Sequence, residues 1–174
     1  MAVIPPHLIF DPYAPIPEKL GKRDRAKLQE LREAYQASMK AMMPKEAIRG
    51  PEQGAALFLP IIGHLQVEAL AVVGLNALLH PIEPPIVVTR GDVDSTDAGP
   101  RAILRAVLIQ GATSFMFAHN HPAGDPSPSA ADRAITRRIV AGGKAVDCPC
   151  VDHLIITRTG QFYSLRRHDH DLWG

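Results

Sequence analysis

The chain has little sulfur to build with: among its 174 residues are two cysteines, Cys148 and Cys150, one residue apart in "DCPCVD". That spacing is too short for an ordinary disulfide and is not the C-x-x-C of redox or zinc-ribbon sites, so a disulfide scaffold is excluded and the pair reads as small buried hydrophobes. An excess of one charge is also missing. With 19 basic and 18 acidic residues and a pI of about 7.9, there is no global field to hold a polyanion by counterion release. Nucleic acid is therefore not an expected partner. The two basic pairs spaced four apart, Arg101 with Arg105 and Arg133 with Arg137, fit solvated helix faces. Long apolar runs are lacking too. No stretch of about eighteen apolar residues occurs, and Met1 is followed by Ala-Val-Ile-Pro-Pro with neither a basic n-region nor an apolar h-region. The expectation is a soluble, cytoplasmic protein with no membrane partner.

What is present suits one compact domain with an extension, since 46% of the residues are hydrophobic. Pro5, Pro6, Pro12, Pro15 and Pro17 fix φ and remove backbone donors, which predicts an extended arm. After it, "KRDRAKLQELREAYQASMKAMM" spaces Leu28, Leu31, Tyr35, Met39 and Met42 three or four apart, an amphipathic helix whose stripe needs a partner surface. Pro51 suits a first helical turn, and "QVEALAVVGLN" reads as a strand buried on both faces. The strand "PIVVT", a helix through "AGPRAILRAVLIQGA" closed by Gly111, and the strand "TSFMFA" come next. "SAADRAITRRIVAGG" predicts a helix stopped by its glycines, and "VDHLIIT" with "QFYSL" a terminal hairpin. Alternating strands and helices place the chain in the α/β or mixed α+β class, a central sheet flanked by helices. A proline-rich arm and amphipathic helix over residues 1–49 and a main domain over residues 50–174 are the expected divisions.

The chemistry concentrates in "FMFAHNHPAGDPSPSAAD". In extended chain, residues i and i+2 point the same way, so His119 and His121 can offer two imidazole nitrogens to one metal. Taken alone, such a pair is more often two hydrogen-bonded turn histidines than a metal site. Asp132 follows in the first turn of the next helix, across a loop stiffened by Pro122, Pro126 and Pro128. Two imidazoles and a carboxylate make the open three-ligand shell of a hydrolytic zinc site, with a position left for water. Ser129 and Asp132 also form a Ser-x-x-Asp pattern that suits a helix N-cap. Glu68 is the candidate general base, because a carboxylate within "VEALAVV" is costly unless it is partnered or functional, and desolvation there would raise its pKa. The alternative is an exposed strand end.

"FAHNHPAGDPSPSAAD" resembles the signature of the RadC family, a branch of the JAB/MPN (JAMM) domain metalloproteases: a distant Glu, then His-x-His, seven residues, Ser, two residues and Asp. Pro122 to Pro128 supply the seven. The likeness runs upstream through "PEQGAALFLPIIGHLQVEALAVVGLN", where Glu68 falls on the family's glutamate, and downstream through "VDHLIIT", covering roughly residues 50 to 166. It implies a cytidine-deaminase-like JAB/MPN fold and a Zn2+ ion held by His119, His121 and Asp132 with a water. It further implies that Glu68 moves the water's proton, that Ser129 stabilises the oxyanion, and that a peptide or isopeptide bond is hydrolysed. The implied partner is a protein or peptide substrate, with a ubiquitin-like conjugate among the candidates.

Three departures from the pattern stand out. Ala123 occupies the place of a usual serine after the second histidine, the loop "DVDSTDAGPR" lacks the usual His-Pro, and residues 1–49 do not resemble the family's helix-hairpin-helix segment. Two other readings fail on the residues themselves. HNH nucleases spread their letters over a ββα unit, and nucleobase deaminases need His-x-Glu with Pro-Cys-x-x-Cys. The remaining alternative is a non-catalytic interaction module, on the same fold, that binds a DNA-repair, replication or mobile-element protein.

Overall fold

The computed structural model describes residues 4–5, 8–9, 15–41, 43–91 and 99–174. Met42 and most of the loop "DVDSTDAGPR" lie outside them. The chain divides into two compact units, Met1–Met43 and Pro44–Gly174.

In the first unit, α1 (Lys22–Ala41) has Leu28 fully buried and Leu31, Tyr35 and Met39 partly buried, as the three-and-four spacing requires. Of the extended arm expected from the prolines, residues 4–5, 8–9 and 15–17 are described, and within them the departure from extended chain is at Leu8 and Ile9. Leu8 and Ile9 form a helical turn, and Leu8 is buried in a cluster with Leu20 and Leu28, against which Ile4, Ile9 and Ile16 pack. The buried Arg32 fixes that turn by donating from Nε to the Leu8 carbonyl at 2.6 Å, and Arg25 likewise ties the Pro17, Glu18 and Leu20 carbonyls. Arginine forks thus satisfy carbonyls that a proline-rich stretch leaves unpaired.

The second unit is built on five strands in the order β2-β1-β3-β4-β5: β1 (Ala69–Leu75), β2 (Ile86–Arg90), β3 (Ser114–Asn120), β4 (Cys150–Ile156) and β5 (Phe162–Ser164). Neighbours are antiparallel except β3 and β4, which run parallel. Every residue of β1 and β3 is buried, which is why "ALAVVGL" and "SFMFAHN" are continuous rather than alternating in character. The parallel pair requires a crossover, and α4 (Ala130–Ala145) provides it. α2 (Pro51–Phe58) and α3 (Pro100–Ile109) both begin with proline in the first turn. α2 passes without a break into a π-helical turn, Leu59–Gly63. Pro60 has no N–H for the α-helical ladder, so the wider turn forms there. A short α5 (Leu165–His168) and a 3₁₀ turn (His170–Trp173) close the chain. Arg133 and Arg137 reach Asp169 and Asp171 of this closing segment, at 3.3 and 3.9 Å.

The glycines expected to stop α4 lie inside it: the helix runs through Gly142 and Gly143 to Ala145. Gly143 is required by close packing, because a Cβ there would meet the Cys148 carbonyl oxygen at 2.6 Å and Phe115 Cε1 at 2.9 Å. The helix ends further on, where Asp147 turns left-handed (φ 52°) and the Cys148 N–H returns to the Gly143 carbonyl at 3.0 Å. Gly143→Ala should therefore cost about 1–3 kcal/mol through overpacking, or roughly 2–4 °C in Tm per kcal/mol. Gly142→Ala should be neutral or stabilising, because its Cβ meets the end of one flexible side chain, Leu104 Cδ1 at 2.9 Å, and Pro100 Cβ at an ordinary 3.8 Å, and alanine favours the helix by up to about 1 kcal/mol. Equal melting temperatures for the two variants would contradict this packing account.

Candidate metal centre

β3 ends at the site. His119 and Asn120 are its last residues, and strand alternation sends their side chains to opposite faces of the sheet. His119 lies on the face that α4 covers and is 1% exposed. His121 follows as the chain leaves the sheet, its N–H donating to the Ile156 carbonyl at 2.9 Å. The chain then turns through Gly124 (φ 93°). In this turn His121 Nδ1 lies 2.7 Å from the Asp125 carbonyl oxygen. A carbonyl only accepts, so Nδ1 donates and Nε2 is the nitrogen turned toward His119 and Asp132.

Asp132 approaches from the first turn of α4. A capping box holds it: the Ser129 hydroxyl accepts from the Asp132 N–H at 3.1 Å, while Asp132 Oδ2 accepts from the Ser129 N–H at 2.7 Å and from its hydroxyl at 2.6 Å. The cap and the ligand geometry are thus one arrangement. His119 Nε2 and His121 Nε2 are 3.0 Å apart, and Asp132 oxygens lie 3.1 Å from the first and 3.7 Å from the second. A tetrahedral ion with bonds of about 2.0–2.1 Å separates its ligands by roughly 3.3 Å, so these donors suit a single ion. Among the described residues they form the group of His, Cys, Asp or Glu able to hold a metal. The cysteines stand apart. Both are buried and free, and burial pushes both thiols up, away from the thiolate a metal needs.

The electrostatics agree with the donor geometry. Burial pushes the Asp132 carboxyl up, but hydrogen bonds with His119 and His121, the charge of His119 and the hydrogen bond from Ser129 hold it far below the usual carboxylate range. The hydrogen bond that His121 gives to Asp132 raises its pKa above the ordinary histidine value, against burial, with the Asp125 carbonyl and the charges of Asp132 and Glu68 contributing.

Glu68 is exposed and lies one residue before β1. The strand-end alternative is the one observed, so the desolvation argument does not hold at this position. Its segment is nevertheless fixed. Asn120, 1% exposed, accepts from the Ala69 N–H through Oδ1 at 2.7 Å and donates through Nδ2 to the Leu65 and Val67 carbonyls, each at 3.2 Å. The residue between the two histidines therefore clamps the loop that carries Glu68. Spacing alone does not reveal this role, which depends on the β1–β3 register that sets Leu70 opposite His119. His153 and Thr136, both fully buried, are also missing from the sequence reading. His153 Nε2 is 2.8 Å from His119 Nδ1, and its Nδ1 is 2.7 Å from Thr136 Oγ1. Burial pushes His153 well below the ordinary histidine value. The one signal available was a lone histidine within the aliphatic run of "VDHLIIT".

Comparison with known proteins agrees with this geometry. Residues 48–170 match the family model described as RadC-like JAB domain. A UPF0758 protein of Cyanothece sp. is 47% identical over 100 residues, covering 58% of this chain and 40% of the relative. UPF0758 proteins of Moorella thermoacetica and Xanthomonas oryzae pv. oryzae are each 33% identical, over 147 and 138 residues. Those matches cover 83% and 79% of this chain and 63% and 61% of the relatives. The chain thus spans between 40% and 63% of the length of these three curated relatives.

Asn120→Leu should leave the Ala69 N–H and the Leu65 and Val67 carbonyls without their partner, at about 1–3 kcal/mol for each group that stays buried. Hydrogen exchange over residues 65–69 should accelerate more than exchange in β4. Unchanged protection over 65–69 would show that Asn120 is not the clamp.

Proposed function

This chain belongs to the RadC-like JAB domain family, and from that premise we propose that it is a zinc-dependent metallohydrolase, a peptidase or isopeptidase of the JAMM type whose chemistry resides in residues 50–174. The observation that carries the reading is the convergence of His119 Nε2, His121 Nε2 and the Asp132 carboxylate within 3.0 to 3.7 Å, with Glu68 near enough for its charge to act on His121. The ligand class supports zinc: two imidazoles and a carboxylate without thiolate are typical of catalytic rather than structural zinc.

Bound by these three side chains, the ion would supply Lewis acidity and bring the pKa of a water down to about 7. The protein's own groups would do the rest. Glu68, whose loop Asn120 fixes, would take a proton from the water as the water oxygen bonds to the scissile carbonyl carbon, and would give that proton to the nitrogen as the C–N bond breaks. Ser129, now donating its hydroxyl hydrogen to Asp132 Oδ2, would redirect it to the carbonyl oxygen as negative charge develops there. The N-terminus of α4 adds favourable dipole at the same point. A protein or peptide substrate is expected, with ubiquitin-like fusions and isopeptide conjugates as the first classes to test.

Purified protein should carry about one zinc per chain, and His119→Ala with His121→Ala should remove it. Stoichiometric zinc in that double variant would overturn the ligand assignment. Against a panel of ubiquitin-like fusions and isopeptides, Glu68→Gln should abolish turnover while retaining zinc. Ser129→Ala should slow turnover by on the order of a hundredfold or more, beyond the roughly 1 kcal/mol of stability that loss of a cap costs. If Ser129→Ala lowers Tm and leaves the rate unchanged, Ser129 is a cap alone. Full activity in Glu68→Gln would refute the mechanism. Zinc without cleavage of any protein substrate would favour the non-catalytic interaction module.

A further inference from the structure

We propose that Thr136 and His153 are positioning residues that select the tautomer of His119, directing its Nε2 lone pair at the metal position. The inference rests on the metal-site reading above, and it concerns residues outside the donor set.

The hydrogen positions follow in order from one fixed point. Thr136 Oγ1 lies 2.5 Å from the backbone carbonyl oxygen of Asp132. A carbonyl only accepts, so the hydroxyl's single hydrogen is committed there. The same Oγ1 lies 2.7 Å from His153 Nδ1, and with its hydrogen spent it can only accept. His153 must therefore carry hydrogen on Nδ1. The ring is fully buried and stacked on Phe117, with centroids 4.0 Å apart and planes 15° apart. Its two ring nitrogens face a hydroxyl and another imidazole rather than a carboxylate, so a neutral ring is the form this environment accepts. Neutral His153 with hydrogen on Nδ1 has a bare Nε2, which can only accept. At 2.8 Å, His119 Nδ1 must then be the donor, which leaves Nε2 as the nitrogen offered to the metal position. That atom is the one 3.0 Å from His121 Nε2 and 3.1 Å from Asp132 Oδ1.

The chain of bonds closes on itself. It begins at the Asp132 main chain and ends beside the Asp132 carboxylate, passing through α4, β4 and β3. Each link is short and buried, and each has one direction. Outer partners of this kind, which fix ring orientation and raise ligand basicity, typically change metal affinity by about 10–100-fold when removed. His121 is oriented separately, by the exposed loop carbonyl of Asp125, so the two histidines should respond independently.

The test uses the full chain with Zn2+ and Co2+ as probes. Long-range ¹H–¹⁵N correlation spectra of the metal-free protein should show His119 and His153 both protonated at Nδ1. His153→Phe keeps a ring against Phe117 but offers no acceptor. It should weaken Zn2+ binding in a chelator competition by about 10–100-fold and alter the visible absorption of the Co2+ form. His153→Gln, whose amide oxygen can accept from His119 Nδ1, should recover most of the affinity and the Co2+ spectrum. Thr136→Val should yield a mixture of His153 tautomers with an intermediate loss. The inference is overturned if wild-type His119 carries no hydrogen on Nδ1, or if folded His153→Phe binds Zn2+ as tightly as wild type. If His153→Phe does not fold, the wild-type and Thr136→Val spectra decide the matter. Failure of wild type to bind Zn2+ would instead refute the metal-site reading, and the tautomer spectra would still judge the bond chain.

Discussion

The second unit's chemistry depends on the placement of one carboxylate. Asp132 is 8% exposed, and leaving such a charge unpartnered would cost several kcal/mol. The fold surrounds it with donors instead. Oδ2 takes the Ser129 N–H and hydroxyl, Oδ1 faces His119, and its main-chain carbonyl takes Thr136. Helix start, strand end and the neighbouring β4 are all referred to this residue. If Asp132 were moved, the cap, the imidazole pair and the buried hydroxyl would each lose a partner.

Strand alternation then separates tasks that are contiguous in the chain. His119 turns toward α4 and the donor set. Asn120 turns to the other face and holds the backbone from Leu65 to Ala69. His121, already past the sheet, is aimed by a loop carbonyl. A three-residue run thus supplies two donors and the anchor for the proposed base. It can do so because β3 is a central strand with β1 and β4 on either side.

Legibility from the sequence followed the range of each interaction. The strands and helices of the second unit are set by local periodicity, and "FMFAHNHPAGDPSPSAAD" compresses three donors and a cap into one supersecondary passage, so those features were readable. His153 was not, because its meaning depends on the parallel register that pairs it with Phe117, a relation between residues far apart in the chain. Glu68 was placed inside the buried run, whereas β1 begins one residue later, and that single step changes a desolvated carboxylate into an exposed one. Gly142 and Gly143 look like a stop by propensity, yet close approach of Phe115 and Cys148 overrides propensity. In the first unit, the buried Arg32 folds a proline-rich stretch that composition describes as extended.

The capping box at Ser129 and Asp132 also bears on kinetics. Helix ends fray, and a first turn opens with a lower free energy than the body of the domain. Here the first turn carries Asp132, a member of the group that could hold a metal, so fraying of α4 and withdrawal of that carboxylate are a single motion. The rate at which an ion could enter or leave would be set by the local opening of one helical turn rather than by global unfolding. The same hydroxyl and amide contacts that begin the helix would therefore also act as the latch on exchange.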